Sequence, residues 1–238
     1  MYQETAQVYD LIYDLAGKDY RAEAETLAAA IRRRHRPAST LLDVACGTGR
    51  HLAHLRDSFE VTGLDLSEAM LDQARRRLAD VELVQADMRE FDLGRRFDAV
   101  VCLFGSIGYM VDRGELTAAV QAMADHLEPD GVLVIDGWVR PEAWQDPGIV
   151  SSVSGMRDDL AVARVVRTHR EGRRSHLEMH YLLGRHDGIE HLVDHHALTL
   201  FTAEDYLGAF EAADLSTEVI EGPTPHRDRY VGVRGAPM

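Results

Sequence analysis

The run Asp43-Val44-Ala45-Cys46-Gly47-Thr48-Gly49 joins a short apolar stretch (Leu41, Leu42, Val44, Ala45) to a helical pattern at Leu52 and Leu55. Glycines at the carboxyl end of a buried strand let a ligand approach the backbone, and the helix that follows presents unpaired N–H groups. A glycine turn of this kind is by itself a weak signal that could open several nucleotide-binding folds. Asp65 sharpens it. It ends the next apolar run, about 20 residues on, where a carboxylate can hold a ribose diol through two hydrogen bonds. The competing reading is a solvated aspartate ahead of a helix cap.

Other residue types invite other chemistry. His176 and His180 share a strand face, and His191, His195 and His196 follow nearby. A structural zinc site wants four close ligands, usually with cysteine, and neither Cys46 nor Cys102 is near them. His195 and His196 are also adjacent in a strand and point to opposite faces. A polar sheet face at a subunit contact explains these histidines better than a metal. Arg227 and Arg229, close to the C-terminus, could fork onto a diphosphate. Lys18, the only lysine in an arginine-rich chain, is a further candidate for that anion.

These groups need elements to position them. Ala24, Leu27, Ala28 and Ile31 recur at helical spacing over residues 20–35, ahead of Pro37. VTGLDLS predicts a second strand and SEAMLDQARRRL a second helix capped by Ser67. VELVQADM, FDAVVCLFGSIGYM and GVLVIDGW read as strands three to five, with GELTAAVQAMADHL as a long helix between the last two. Strands alternating with helices over about 100 residues predict a mostly parallel sheet covered on both faces. The period then changes to two: Leu177, Met179, Tyr181 and Leu183 alternate with His176, Glu178 and His180. An antiparallel meander of three strands is expected over roughly residues 160–201. TAEDYLGAFEAADL, with Thr202 as its cap, and the strands STEVIE and DRYVGVRG close the chain.

The formal net charge of -14 and pI near 5.2 argue against a nucleic-acid partner and, less strongly, against an anionic membrane surface. No apolar run approaches the length of a bilayer span, and MYQETAQVYD lacks the basic-then-apolar order of a signal peptide. The expectation is a cytoplasmic protein whose two cysteines stay reduced.

The run from Asp43 to Gly49 resembles the signature of class I S-adenosylmethionine (SAM)-dependent methyltransferases, and the later elements fall in the order that family uses. The fold implied is Rossmann-like α/β, a mostly parallel seven-stranded sheet with an antiparallel insertion before the last helix. The resemblance implies that Asp43, Ala45, Gly47, Thr48 and Gly49 line the methionine portion of SAM. Asp65 and Leu66 would meet the ribose, and Met70, Ala86, Asp87 and Met88 the adenine. Phe104 and Ser106 would lie beside the sulfonium, Phe104 on the cofactor and Ser106 on the substrate. The GTG ending disfavours the dinucleotide fingerprint GxGxxG of an oxidoreductase. An intact Asp43, Gly47, Gly49 and Asp65 set disfavours a noncatalytic SAM-binding module.

A narrower resemblance spans nearly the whole chain. YDLIYDLAGKDYRAEA, LLDVACGTGRHL, FGSIGYM, LTLFTAEDY and the terminal VGV are similar to the dTDP-3-amino-sugar N-methyltransferases. That likeness implies one methyltransferase domain, with N-terminal lid helices over residues 1–36 and a core over 37–140 and 202–238. Residues 141–201 would cover the substrate and contribute to a homodimer. Tyr9 and Tyr20 would close on SAM, while Tyr13 is read as packing. Tyr2, Lys18, Trp138, Arg227 and Arg229 would face a nucleotide-linked amino sugar. Tyr109 or Asp136 would accept the amine proton, and S-adenosylhomocysteine would be the product. The chain departs from the family's Glu-Pro-Trp-Trp at Asp136-Gly137-Trp138-Val139, and from its Gly-Pro-Ser-Gly-Arg-Gly-Leu-Phe at residues 222–230. Both departures bear on which sugar is used, and O- or N-methylation of another small molecule stands as the alternative.

Overall fold

A computed structural model describes residues 4–145 and 149–235. In chain order its elements are α1 (Ala6–Leu15), α2 (Tyr20–Arg34), β1 (Thr40–Val44), α3 (Leu52–Leu55), β2 (Glu60–Asp65), α4 (Glu68–Arg77), β3 (Glu82–Gln85), β4 (Phe97–Cys102), α5 (Arg113–Asp125) and β5 (Leu127–Asp136). Four long strands follow, β6 (Ile149–Arg157), β7 (Leu160–Glu171), β8 (Arg174–Arg185) and β9 (Gly188–Thr199). The chain returns through α6 (Ala203–Ala212), β10 (Leu215–Glu221) and β11 (Asp228–Arg234).

The apolar runs that read as buried strands form the centre of a seven-stranded sheet ordered β10-β11-β5-β4-β1-β2-β3. Its first five strands pair in parallel, and β11 runs antiparallel to β5 and β10. Helix-forming segments between the strands bury one stripe each. Leu116, Ala119, Val120 and Met123 of α5 pack on one face of the sheet, and Leu27, Ala28 and Ile31 of α2 on the other. Ser67 accepts from Met70 N–H to cap α4, and Thr202 closes a reciprocal capping box with Asp205 at α6. From β1 the chain winds to β2 and β3 on one side, then to β4 and β5 on the other. The crevice at the carboxyl ends of β1 and β4 is therefore the switch point at which such sheets hold ligands.

The parallel α/β sheet forms as the alternation predicted, but two details differ. The fourth strand stops at Cys102, because Phe104 (φ 60°) and Gly105 (φ 79°) turn the chain out of extended geometry into a short 3-10 turn at Ser106–Tyr109. The meander has four strands, β6-β7-β8-β9, rather than three. Ser151, Ser152, Ser154 and Gly155 in β6 carry weak strand propensity and hid it. Gly155 has a packing reason to be there. A Cβ at that position would fall 2.4 Å from Leu15 Cδ2, so α1 lies directly on β6. Val8, Leu11 and Ile12 of α1 join Val162, Val166, Leu177 and Met179 in a third apolar cluster, and the cover sheet is thereby bonded to the N-terminal helix.

Candidate active site

The glycine turn is held open by backbone geometry that few side chains tolerate. Ala45 (φ 61°), Gly47 (φ 56°) and Gly49 (φ 73°) all adopt left-handed conformations. Asp65, at the end of β2, fixes the turn by accepting from Gly47 N–H and Ser67 N–H, both at 2.8 Å. Burial raises the Asp65 pKa against these hydrogen bonds. Burial also raises that of Asp43, 3% exposed at the end of β1, and the nearby carboxylates of Asp65 and Asp136 add to the effect. A ligand cation beside this group of acids would relieve their mutual cost. Gly49 has another duty: a Cβ there would meet Leu78 Cδ1 at 2.8 Å, so its missing side chain lets the turn sit on α4.

A cavity of about 1360 Å³ opens from the turn across the switch-point crevice and under the cover sheet. A smaller one, about 50 Å³, lies against the turn and is lined by Tyr9, Tyr20, Asp43, Thr48 and Arg50 among others. Tyr20 Oη is buried there with no hydrogen-bond partner among the described residues. At the far side of β2 the large cavity meets Leu66, Met70, Ala86, Asp87 and Met88. The Arg89 guanidinium beside Asp87 holds its carboxyl below the usual range, and Arg89 also reaches Glu115 at 2.6 Å.

Phe104 is the pivot between the two ends. Lys18 Nζ lies 3.9 Å from its ring centroid, Arg227 5.5 Å, and Tyr13 packs edge-on at 5.2 Å. Its carbonyl accepts from Arg227 at 3.2 Å. The guanidinium of Arg227 stacks 4.0 Å from Trp138, whose indole N–H donates to Ser175 Oγ at 2.9 Å. Gly105 and Gly108 make room for that indole, since a Cβ on either would come within 2.9 Å of it. Under the cover sheet, Arg164 and Thr168 are 7% and 4% exposed, and among the described residues Arg164 Nε, Thr168 Oγ1 and Arg227 Nε find no hydrogen-bond partner. All three residues line the cavity.

The methyltransferase domain model matches residues 41–131, the segment that builds the turn and the cofactor side of this cavity. The dTDP-3-amino-3,6-dideoxy-alpha-D-glucopyranose N,N-dimethyltransferase of Streptomyces fradiae is 48% identical, the match covering 98% of this chain and 92% of that protein. This chain belongs to the dTDP-amino-sugar N,N-dimethyltransferases. Among solved structures, DesVI of Streptomyces venezuelae superposes with a TM-score of 0.93 at 47% identity over 98% of this chain and 99% of its own. A SAM-bound amino pentose methyltransferase of Micromonospora echinaspora superposes at 0.87 with 42% identity, over 95% and 96%.

The fold of this methyltransferase brings Tyr9, Ala45, Gly47, Asp65, Leu66, Met70, Ala86, Asp87, Met88, Phe104, Ser106, Tyr109, Trp138 and Arg227 to the large cavity. Asp43, Thr48 and Tyr20 reach only the small one. Tyr2 lies outside the described residues. Three expectations are corrected. Arg229 is not a diphosphate ligand: 5% exposed on β11, it donates from Nε to Asp136 Oδ1 at 2.7 Å and from a terminal nitrogen to Oδ2 at 3.2 Å. Asp136, holding Arg229 and Phe104 N–H (3.1 Å), is saturated as a structural acceptor and does not line the cavity. Lys18 is held by both oxygens of Glu23 at 2.7 Å instead of facing a substrate.

Tyr13, read as packing, lines the cavity beside Phe104. Arg164, Thr168 and His196 were missed although a signal existed. Val162, Arg164, Val166 and Thr168 alternate onto one strand face, so two polar residues interrupt an apolar stripe. Among the described residues no group of His, Cys, Asp or Glu is arranged to hold a metal ion.

Proposed function

We propose that this methyltransferase binds SAM at the glycine turn and methylates the amine of a dTDP-linked 3-amino deoxysugar, once or twice. The observation that carries the reading is the two-ended cavity. Pockets for one ligand run to about 1,000 Å³, and this one, about 1360 Å³, exceeds that. One end is lined by carboxylates, and the other contains the buried Arg164 and the half-buried Arg227, whose Nε donors are unmatched among the described residues. The first suits a ligand with cationic centres and a ribose, and the second an anionic nucleotide.

The residues present fit SAM. Asp43 and the glycine turn would meet its ammonium group, Tyr20 Oη would donate to its carboxylate, and Asp65 would hold the ribose hydroxyls. Asp87 and the apolar side chains of Leu66, Met70, Ala86 and Met88 frame the adenine. When bound, SAM supplies a methyl group on a sulfonium, already electrophilic enough that no strong base is required. The protein's work is then alignment and exclusion of water, worth roughly 7–11 kcal/mol where geometry is well held. Phe104, Tyr9 and Tyr13 supply aromatic faces for a sulfonium, and α1 roofs the site. Tyr109 faces the amine. Arg227, stacked on Trp138, and Arg164 serve the nucleotide's negative charge.

The outer face of the cover sheet, where Met156, Leu182 and Ile189 are 72%, 50% and 80% exposed, is assigned to a second copy of the chain. Sedimentation of native protein against Leu182→Asp tests that contact. The substrate test is an end-point mass measurement with SAM and a panel of dTDP-3-amino and dTDP-4-amino deoxysugars beside their hydroxyl counterparts. Gain of one or two methyl masses on a 3-amino sugar alone is the expected result. SAM binding without turnover on any nucleotide sugar overturns the reading and moves the search to aglycones.

A further inference from the structure

Tyr109 does not face the cavity alone. Its hydroxyl lies 2.8 Å from Nδ1 of His196, a residue from β9 in the cover sheet. His196 stands opposite Leu177 in the β8–β9 register and is 4% exposed, whereas its neighbour His195 turns outward. The turn after β4 and the inserted antiparallel sheet are thus joined side chain to side chain at the cavity wall.

We infer that His196 is a positioning residue that sets the direction of this bond, so that Tyr109 donates to Nδ1 and presents its phenolic oxygen as an acceptor to the substrate's N–H. The inference rests on the amine-methylation reading above. Two arguments fix the direction. A phenol is a stronger acid than a neutral imidazole N–H, and an imidazole nitrogen is a better acceptor than a phenol oxygen. His196 is also kept neutral: burial depresses its pKa to about 4, against the smaller opposing effect of Asp194. A neutral ring keeps a lone pair on one nitrogen, and the Tyr109 hydroxyl at 2.8 Å, the stronger acid of the two, favours the tautomer that leaves it on Nδ1.

The consequence is chemical. A tyrosine hydroxyl that donated into the cavity would bind the amine lone pair, the pair that must form the new N–C bond. A tyrosine committed to His196 binds the N–H instead and leaves the lone pair directed elsewhere. Nothing in the amino-acid order around Tyr109 specifies this, because His196 is 87 residues away along the chain.

The test compares His196→Ala, His196→Asn and His196→Gln in native and Tyr109→Phe backgrounds. It reads kcat and KM for the amino sugar and SAM affinity by calorimetry. An asparagine places its oxygen where Nδ1 was; a glutamine reaches the Nε2 position instead. His196→Ala is expected to lower kcat about three- to tenfold, the worth of one hydrogen bond, with SAM affinity unchanged. His196→Asn should restore most of the rate and His196→Gln little. In the Tyr109→Phe background, His196→Ala should cost nothing further. An equal loss from His196→Ala in both backgrounds overturns the inference, as does an asparagine variant that binds SAM but turns over like alanine. Tyr109→Phe indistinguishable from native overturns it too. Failure of the substrate reading looks different: native enzyme inactive on every amino sugar.

Discussion

Replacing Asp136 by asparagine separates a structural role from a chemical one. Asp136 and Arg229 are each 6% exposed at their side chains and sit opposite one another in the β5–β11 register. Asparagine can still accept from Phe104 N–H but leaves the Arg229 guanidinium without its counter-charge. Breaking such a buried pair from one side costs about 3–5 kcal/mol. In a domain of this size each kcal/mol lowers Tm by roughly 2–4 °C, so the expected drop is roughly 6–20 °C. Thermal melting of native protein and Asp136→Asn measures it, with methylation assayed well below both transitions. The paired variant Asp136→Leu/Arg229→Met removes both charges and should recover much of the stability, since apolar substitution of a whole buried pair is often neutral or better. If Asp136→Asn melts within about 2 °C of native while kcat falls about a hundredfold, the reasoning is refuted and Asp136 takes part in proton transfer.

Two further outcomes follow from buried polar groups. Tyr20→Phe removes a hydroxyl that finds no partner among the described residues. It should stabilise the cofactor-free enzyme by about 1 kcal/mol and weaken SAM binding about tenfold by calorimetry, whereas unchanged affinity would remove Tyr20 from the cofactor site. His196 makes stability depend on pH. Its folded pKa, about 4, lies below the ordinary 6.5, so the unfolded chain takes up its proton first. Stability should fall as pH drops from 6.5 toward 4, and the difference in Tm between native protein and His196→Asn should narrow over that window. A constant difference across it contradicts the assignment.

The parallel core was legible because its signals are local. Leu41, Leu42 and Val44 must be buried on both faces, and Ser67 and Thr202 announce their helices. The cofactor side of the site was legible for the same reason, as the glycine turn and Asp65 lie within 25 residues. The substrate side was legible only in part: Ser106, Tyr109, Trp138 and Arg227 reach the large cavity, whereas Lys18 and Arg229 do not. Arg229 and Arg227 are two residues apart in the chain, yet β11 register puts one against Asp136 while the loop before it stacks the other on Trp138. Sequence offered both as cations, and only strand pairing distinguishes the one already neutralised. The place of Tyr13 in the cavity wall was missed for a similar reason, because α1 is oriented by Gly155 and the cover sheet rather than by its own pattern.

That orientation has a consequence for the cofactor. An isolated helix of ten residues is marginal in water, and α1 is held by two aspartates that reach different parts of the molecule. Asp10 accepts from Thr48 Oγ1 at 2.6 Å in the glycine turn and from Arg77 at 2.5 Å on α4. Asp14 receives Arg50 at 2.5 Å, beside the same turn, and Arg157 at 2.9 Å on β6. Burial opposes ionisation of Asp14, but hydrogen bonds from Arg157 and Arg50 outweigh it and lower its pKa. A lowered carboxylate pKa adds stability above the unfolded value near 3.9 and loses it as pH falls through the folded one. The tie is therefore complete at neutral pH. It joins cofactor turn, lid and substrate cover through one carboxylate, so Asp14→Asn should loosen the lid over both ligands. Partly exposed pairs contribute up to about 1 kcal/mol, which corresponds to about a fivefold rise in the Kd for SAM. Salt screens such pairs, so native affinity should weaken with ionic strength while the variant's changes less. Equal affinities and equal salt dependence would mean that Asp10 and the apolar face hold α1 without help from Asp14.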